Sequence, residues 1–384
     1  MKIGIDYRPA LLDQGSRGRY ARELVRALAA LDDVPLELGL FGHTFAGRKI
    51  PLADLGLPLE RAELSRLRLP APVLAWLQAR TGKGADDLVG GCALFHHTGS
   101  QLPDVRAARE VATVPNVIHT IGAGYMETQR AEARTERTRE QVQRARRLLV
   151  PCQFVGAEIV MALGAHPGRI TVTEFGCDHV ARHLPDAATP RPSTPYLLTV
   201  ARVDARKNHL RALTAFEALV REGHPHRWIL VGRPGYQADF FREALAASPA
   251  RERIEWREQV DEPELVRLYT QADVFLFPTL CEGDALQALE SMACGTPVVT
   301  SCVAATGELC EGAAMMVEPT EPDEIFGAIQ RVLTEDGLAD DLITRGHERA
   351  AEKTWQRTAL QTYAAYRGAM RADDGETPQL MRRL

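Results

Sequence analysis

The chain has 384 residues, enough for two or three domains, and its apolar and charged fractions of 45% and 25% are ordinary for a globular protein. The formal net charge of −5 gives no general case for binding nucleic acid or an anionic membrane. The seven cysteines are scattered without a C-x-x-C pair, which argues against a disulfide framework and a zinc site. We therefore expect a cytoplasmic protein with reduced thiols and no metal. No apolar run reaches the roughly 18 residues of a spanning helix, and the N-terminal segment predicts a strand rather than a signal peptide.

Short apolar runs alternate with longer amphipathic runs along the first half of the chain. This alternation predicts buried strands separated by helices. The predicted strands are residues 2–6, 36–41, 93–96, 111–117, 148–150 and 170–173. The predicted helices are residues 18–31, 129–147 and 154–164. The apolar run 67–77 could face an acceptor, but we expect it to form a core helix.

The stretch 186–195 contains three prolines among small polar residues and predicts a linker. After it the alternation resumes. Strands are predicted at residues 196–201, 228–232, 254–257, 274–278, 298–301 and 315–317. Helices are predicted at residues 208–222, 263–270, 285–293 and 323–334, and an amphipathic helix at 354–370 precedes a polar tail.

Strands of four to six residues that alternate with helices indicate βαβ units and parallel sheets covered on both faces. The pattern predicts an α/β protein with two doubly wound, Rossmann-like domains, residues 1–185 and 196–353, followed by a C-terminal segment, residues 354–384. Ligands of such sheets bind at the carboxyl ends of the strands. We therefore expect a site in a cleft where two such domains face each other.

The loop after the first predicted strand carries Gly15 and Gly18 directly before a helix. A glycine loop at a helix N-terminus suits a phosphate, because the backbone can approach the ligand closely. The loop matches neither G-x-G-x-x-G nor the P-loop, which weakens a dinucleotide or Walker-type interpretation. An ordinary strand-to-helix turn explains it equally well.

A basic turn follows the first strand of the second domain, in "VARVDARKNHL". Arg202 and Lys207 lie where this strand ends, and Arg206 is a third candidate. A guanidinium and an ammonium at a strand end suit a diphosphate, although a solvated basic turn is the usual alternative.

The stretch "CEGDALQALESMACGTPVV" places Glu282 and Glu290 on either side of a helix start. Asp284 and Gln287 have the spacing of a capping box, which predicts that Asp284 caps the helix. Gly295 fits the position just beyond the helix end. Neither glutamate is needed for capping. Free helix N–H groups beside carboxylates predict a ligand with both phosphate and hydroxyl groups, although solvated glutamates are the more common case.

Three histidines follow strand ends in the first domain: His96, His97 and His119. Their spacing does not match that of a metal site. Histidines in such positions are more often hydrogen-bonded structural residues, so we expect this role for each of the three.

With these motifs, residues 195 to about 333 resemble the retaining GT-B glycosyltransferases of family 4, and the first half does so more loosely. The segments that carry the resemblance include "PYLLTVARVDARKN", "WILVGRPG", "DEPELVRLYTQADVFLFPTLCEGDALQALESMACGTPVVTS" and "GELCEGAAMMVEPTEPDEI". The pair Glu282 and Glu290 matches the E-x7-E signature of that family.

The resemblance implies that Arg202 and Lys207 hold the diphosphate of a nucleotide-sugar donor while Glu282 contacts the transferred sugar. It implies that Glu290 binds the ribose hydroxyls. Further donor contacts are implied for Gly15, Ser16, Arg17, Val260, Gly283, Asp284, Ala285 and Leu286. Transfer would retain the anomeric configuration without an obligatory metal, since the cations neutralise the leaving group. The final helix would cross back onto the first domain.

The chain departs from the family pattern near the expected position of the sugar. Asp284, Ala285 and Gln287 interrupt the usual E-G-F-G-L-P, and Pro115-Asn116 stands where a His-Asp pair is common. Candidates for contact with the sugar or the acceptor are therefore His96, His97, Asn116 and His119.

We expect a glycosyltransferase that acts by front-face substitution, with a nucleotide-diphosphate-sugar as co-substrate and no cofactor. The acceptor remains open among a glycan, a lipid-linked sugar and a small molecule, and a peripheral membrane contact is open as well. The alternative, motivated by Pro115-Asn116, is a catalytically weak or silent nucleotide-sugar-binding subunit. An epimerase or a nicotinamide dehydrogenase fits less well.

Overall fold

The structure is a computed structural model that describes residues 1–13, 15–32, 34–44, 57, 60–66, 68–120, 124–186 and 190–371. The chain forms two compact units. The first draws on Met1–Val117, Glu132–Phe175 and Trp355–Leu384, and the second on Ile118–Ala131 and Gly176–Thr354. Of the predicted linker, residues 187–189 lie outside the described residues, and so does the predicted tail at 372–384.

The first unit contains, within the part of the chain described, a parallel sheet of seven strands in the order β3-β2-β1-β4-β5-β6-β7. The strands are β1 (Lys2–Asp6), β2 (Glu37–Phe41), β3 (Ala62–Ser65), β4 (Leu94–His97), β5 (Arg109–Thr113), β6 (Arg147–Val150) and β7 (Ile170–Val172).

In the described part of this unit, helices connect β1 to β2, β3 to β4, β5 to β6 and β6 to β7, as expected for βαβ crossovers. They are α1 (Arg8–Leu12), α2 (Ser16–Ala29), α3 (Ala71–Thr81), α4 (Ala85–Leu88), α5 (Thr128–Arg144) and α6 (Gln153–Leu163). The first residues of α5 belong to the second unit. The six strands predicted from the pattern are confirmed with small shifts at their ends, whereas β3, α1 and α4 were not predicted.

The second unit contains, among the described residues, a six-stranded parallel sheet in the order β10-β9-β8-β11-β12-β13. Its strands are β8 (Tyr196–Val200), β9 (Arg227–Val231), β10 (Ile254–Arg257), β11 (Val274–Phe277), β12 (Val298–Ser301) and β13 (Met315–Val317). All six confirm the predicted strands.

The helices of the second unit are α7 (His209–Arg221), α8 (Ala238–Ala247), α9 (Glu262–Gln271), α10 (Leu286–Ala293), α11 (Ala304–Cys310), α12 (Pro322–Thr334) and α13 (Leu338–Ala351). The last described helix, α14 (Trp355–Arg371), belongs to the first unit. The prediction did not include α8, α11 and α13. The doubly wound α/β class predicted for each half is confirmed.

The prediction of a core helix at residues 67–77 holds for only one face of α3. Leu74 packs against a small apolar cluster that includes Phe41 and Phe95. Val73 and Trp76, by contrast, are 40% and 58% exposed. Position 67 lies outside the described residues.

A buried chain of hydrogen bonds joins α14 to the sheet of the first unit. The Tyr366 hydroxyl lies 2.7 Å from His96 Nδ1, and His96 Nε2 lies 2.7 Å from Thr113 Oγ1. Thr113 Oγ1 in turn lies 2.7 Å from the hydroxyl of Tyr20 on α2. Burial lowers the pKa of His96 to about 3, so the neutral ring makes these bonds. The chain holds α2, the sheet and α14 together.

We expect Tyr366→Phe to lower the free energy of unfolding of the first unit by about 1–3 kcal/mol, because it leaves a buried ring nitrogen of His96 without its partner. Urea denaturation measures the loss. Tyr363→Phe is the matched control, since Tyr363 lies on the same helix and is only half-buried. Equal effects of the two substitutions would contradict a stabilising role for the hydrogen-bond chain.

Candidate functional site

The candidate site lies at the carboxyl ends of two neighbouring strands, β8 and β11. The strand order of the second sheet reverses between these two strands, which is where ligands of open parallel sheets bind. After β8 the chain forms a 3₁₀ turn at Ala205–Lys207, and after β11 it forms the loop that leads to α10. The carbonyl of Arg206 accepts hydrogen bonds from Leu280 N (2.8 Å) and from Thr279 Oγ1 (3.1 Å), which join the two loops.

Glu282 is the centre of a buried charge cluster between these loops. Its Oε2 contacts Lys207 Nζ and lies 3.0 Å from Arg206 Nη1. Arg206 also donates to the carbonyl of Cys281 at 2.8 Å. Glu282 and Lys207 are only 6% and 8% exposed, and Lys207 Nζ lies 4.3 Å from the centre of the Phe277 ring. We name Lys207, Arg206 and Glu282 the charge cluster.

The two cations of the charge cluster favour the ionised form of Glu282. Burial opposes the charge of Glu282, but Lys207 and Arg206 more than compensate, so the pKa of this carboxyl falls below its ordinary value. Burial lowers the pKa of Lys207 more than Glu282 raises it. Both Lys207 and Arg206 are also donors of the kind that binds anionic ligands.

Asp284 lies beside the cluster with a different electrostatic environment. It is 7% exposed, and its Oδ1 accepts a hydrogen bond from the backbone N–H of Leu286 at 3.2 Å. Burial, followed by the nearby charge of Glu282, raises the pKa of Asp284 above its ordinary value. This carboxyl is therefore ready to exchange a proton at higher pH than a solvated aspartate.

The predicted capping box at Asp284 is wrong. The N-cap of α10 is Ala285, and no side chain caps it. Asp284 accepts a hydrogen bond from the amide two residues further on, as in an Asx turn. With Ala285 as the N-cap, Gln287 lies two residues after the cap and not the three that a capping box requires. Ala285 has φ +48° and is fully buried, a left-handed conformation that costs a non-glycine residue about 1–2 kcal/mol.

The other end of α10 follows the prediction. Gly295 has φ +77° and donates its N–H to the carbonyl of Met292 (3.0 Å), while Thr296 N donates to the carbonyl of Ser291 (3.1 Å). This pair of bonds is a Schellman motif, which explains why glycine stands just beyond the helix end.

Glu290, the second acid of E-x7-E, is fully buried on α10. The Tyr269 hydroxyl donates to its Oε2 at 3.1 Å, and His179 Nε2 lies 3.1 Å from its Oε1. Each carboxylate oxygen therefore has a protein neighbour. His179, in the 3₁₀ segment Asp178–His183, was not predicted, because a single histidine far from Glu290 in sequence carries no signal.

Arg202 and Val260, two predicted donor contacts, lie outside the charge cluster. Arg202 is exposed, and its Nε would lie 3.3 Å from a Cβ placed on Gly235. Arg206, the third candidate, lies beside Lys207 where Arg202 was expected. The 3₁₀ turn directs the side chains of Arg206 and Lys207 towards Glu282. Val260 is half-buried just after β10. The predicted contacts of Arg202 and Val260 with a donor stay predictions.

In the first unit, Gly15 is the N-cap of α2, with Ser16 and Arg17 half-buried in its first turn. No side chain caps this helix. Gly18 is needed for packing, because a Cβ there would lie 1.7 Å from the carbonyl oxygen of Asp13. The donor contact predicted for this loop stays a prediction.

The histidine candidates are buried. Both ring nitrogens of His96 have partners in the chain to α14, and His97 Nε2 lies 2.7 Å from Glu110 Oε2. His119 is 3% exposed in the 3₁₀ turn Ile118–Thr120 of the second unit, and Asn116 is half-buried in the first. For His96 and His97, these bonds favour the structural interpretation over contact with sugar or acceptor.

Two features are absent from the described residues. They contain no group of three or more His, Cys, Asp or Glu side chains suited to a metal ion. They also contain no helix long and apolar enough to cross a membrane.

The second unit is similar in sequence to a family of known enzymes. The family model "Glycosyl transferases group 1" matches residues 194–335, which include the charge cluster and the E-x7-E pair. The chain is also 25% identical to O-antigen chain mannosyltransferase B of Escherichia coli over 386 residues, covering 96% of this chain and all of the relative. It is also 25% identical to D-inositol 3-phosphate glycosyltransferase 2 of Catenulispora acidiphila, covering 94% and 91%.

Solved structures show that the chain has the GT-B fold. Sucrose-phosphate synthase of Thermosynechococcus elongatus matches with a TM-score of 0.77 at 20% identity, over 96% of this chain and 99% of that one. WaaG, a glycosyltransferase of lipopolysaccharide biosynthesis, matches with a TM-score of 0.71 at 16% identity, over 95% and 98%. Anabaena HepE in complex with UDP and glucose matches with a TM-score of 0.71 at 13% identity, over 95% and 99%.

We expect Asp284→Asn to stabilise the protein at pH 8 but not at pH 4. Folding raises the pKa of Asp284. Ionisation of this carboxyl therefore lowers the free energy of unfolding as the pH rises above about 4. Asparagine keeps an acceptor for the N–H of Leu286 and removes the charge. The gain at pH 8 should be about 1–3 kcal/mol in urea denaturation. Asp336→Asn, at an exposed carboxylate, is the control, and a destabilised Asp284→Asn at pH 8 would contradict the assignment.

Proposed function

We propose that the protein transfers a hexosyl group from a nucleoside-diphosphate-hexose to a hydroxyl of a carbohydrate acceptor, with retention of the anomeric configuration. The observation that carries this proposal is the charge cluster at the ends of β8 and β11. A buried ammonium, a half-buried guanidinium and a carboxylate in one place suit a ligand that has both a diphosphate and free hydroxyls. A nucleotide-sugar has that composition.

The charge cluster suggests how the donor would be held. Lys207 and Arg206 now share the Oε2 atom of Glu282. A diphosphate would compete with Glu282 for the same two cations. The carboxylate released from them would then accept hydrogen bonds from sugar hydroxyls. Arg202, exposed on the same loop, adds a mobile guanidinium for the phosphates.

The proposed chemistry is front-face substitution. The acceptor oxygen bonds to the anomeric carbon on the face from which the diphosphate leaves, and the carbon–oxygen bond to the phosphate breaks. The acceptor proton passes to the leaving phosphate oxygen, so that no protein base is required. Lys207 stabilises the charge that develops on the leaving group, which is the contribution that such positioned cations make to catalysis.

The names of the relatives and the molecules bound in matched structures indicate which donor sugars and acceptors to test first. The relative matched along its whole length is named as a mannosyltransferase of an O-antigen chain. Two matched structures contain UDP and glucose or UDP-2-fluoro glucose. A hexose donor and a glycan acceptor fit these names best, and mannose is the first sugar to test.

The test is to incubate the protein with UDP-, GDP-, ADP- and dTDP-hexoses and glycan acceptors and to determine the product's anomeric configuration by NMR. We expect the product to keep the configuration of the donor. An inverted product would refute the proposed mechanism. Donor binding in calorimetry without any turnover would favour a silent nucleotide-sugar-binding subunit, to which the replacement of His-Asp by Pro115-Asn116 points.

We expect Lys207→Ala to lower kcat by about 10²–10³, because the charge of the leaving diphosphate then lacks its closest ammonium. Steady-state kinetics with the accepted donor measures the loss. Arg221→Ala, at the exposed far end of α7, is the matched control for removal of a cation. Circular dichroism confirms that each variant folds, and near-normal turnover of folded Lys207→Ala would exclude the proposed role.

A further inference from the structure

The loop between β11 and α10 carries two buried carboxyl groups, and only one of them has a cationic partner. Glu282 contacts both Lys207 and Arg206. Asp284, two residues further on, has no ion pair with any of the described residues, although it is only 7% exposed. The proposed chemistry uses Glu282 and the two cations, and it leaves Asp284 without a role.

One oxygen of Asp284 is available to a ligand. Its Oδ1 accepts a hydrogen bond from the backbone N–H of Leu286 at 3.2 Å. Its Oδ2 makes no hydrogen bond with the part of the chain that the structure describes. The side chains of Ala285 and Leu286, which follow it, are fully buried and apolar. A buried carboxyl without a partner for its charge is favoured as the neutral acid, whose O–H group is a hydrogen-bond donor.

The charged groups that act on Asp284 are those of the charge cluster. Burial has the largest effect and raises the pKa of Asp284, and the charge of Glu282 raises it further. Lys207 and Arg206, on the turn after β8, act in the opposite direction. His209, at the start of α7, does not change charge near neutral pH, because burial lowers its pKa to about 3. The neutral form of Asp284 therefore persists to higher pH than that of a solvated aspartate.

A diphosphate bound at the charge cluster would meet Asp284 in one of two states. Ionised Asp284 adds a second negative charge beside Glu282 and repels the ligand, whereas neutral Asp284 adds no charge. Like charges close together disfavour ionisation, so the anionic ligand should raise the pKa of this carboxyl further. A ligand that binds the protonated form more tightly takes up a proton when it binds.

We propose that Asp284 binds the diphosphate of the nucleotide-sugar as a neutral carboxylic acid, so that donor binding takes up a proton from solvent. Its Oδ2–H group would donate a hydrogen bond to a phosphate oxygen held by Lys207, while Oδ1 keeps the N–H of Leu286. This hydrogen bond would strengthen as the leaving diphosphate gains negative charge. The inference rests on the proposed function, because it requires a nucleotide-sugar at the charge cluster.

The experiment is calorimetry of the full chain with UDP-glucose and GDP-mannose from about pH 5 to about pH 8. The diphosphate of these molecules is esterified at both ends, so it lacks the terminal phosphate group that takes up a proton near neutral pH. We expect the association constant to fall as the pH rises, by up to about tenfold per pH unit. Titrations at one pH in two buffers of different ionisation enthalpy count the protons taken up.

Two substitutions separate the charge of Asp284 from its hydrogen bond. Asp284→Asn stays neutral at every pH and keeps an N–H donor, so its affinity should not change with pH. Asp284→Ala is also neutral but has no donor, so it should bind about 10- to 100-fold more weakly than the asparagine variant. Asp336→Asn, at an exposed carboxylate, is the matched control and should keep the original pH dependence. Urea denaturation checks that each variant folds.

Three outcomes would overturn the inference and leave the proposed function standing. Donor affinity of the unchanged protein could be independent of pH, or the two Asp284 variants could bind equally well. Proton uptake that persists in Asp284→Asn would place the proton on Glu282 or Lys207 instead. Absence of nucleotide-sugar binding at every pH would refute the proposed function itself, and the inference with it.

Discussion

The pairing of Glu282 with Lys207 and Arg206 is the constraint on which the candidate site depends. Two loops far apart in sequence meet because β8 and β11 are neighbours in a parallel sheet. Buried charges are tolerated only when they are paired. The cluster meets this condition within one unit of the protein, because both cations contact the same carboxylate. The same interaction that closes the two loops therefore also prepares them for a ligand.

Much of the fold was predictable because each half of the chain follows one rule, a short apolar strand and then a helix. The strands β10, β12 and β13 begin and end where the apolar runs do. The strand β3 was missed because its polar and apolar residues alternate over only four positions. Within the site, the pattern pointed to the basic turn and to the acids Glu282 and Glu290. It could not distinguish Arg206 from Arg202, since only the 3₁₀ turn decides which side chain reaches Glu282.

Two positions show why sequence motifs and local geometry can diverge. Asp284 has the spacing of a helix cap, yet the cap falls on Ala285 in a left-handed conformation. Glu290 has the spacing of a ligand-binding acid, yet Tyr269 and His179 occupy its neighbourhood. For Asp284 the deciding contact is the N–H of Leu286 two residues on, whereas the neighbours of Glu290 are remote in sequence. Such contacts leave no periodic signal.

The hydrogen-bond chain through His96 has a consequence for biosynthesis. Its members come from α2, β4, β5 and α14, and α14 is made only after the whole of Gly176–Thr354. At 5–20 residues/s the ribosome needs on the order of tens of seconds for that interval. During that interval His96 Nδ1 lacks its partner Tyr366, because α14 has not yet been synthesised. All segments of the second unit are by then available. The nascent protein should therefore complete its second unit before its first, and the unfinished first sheet is the stage at which a chaperone would be needed.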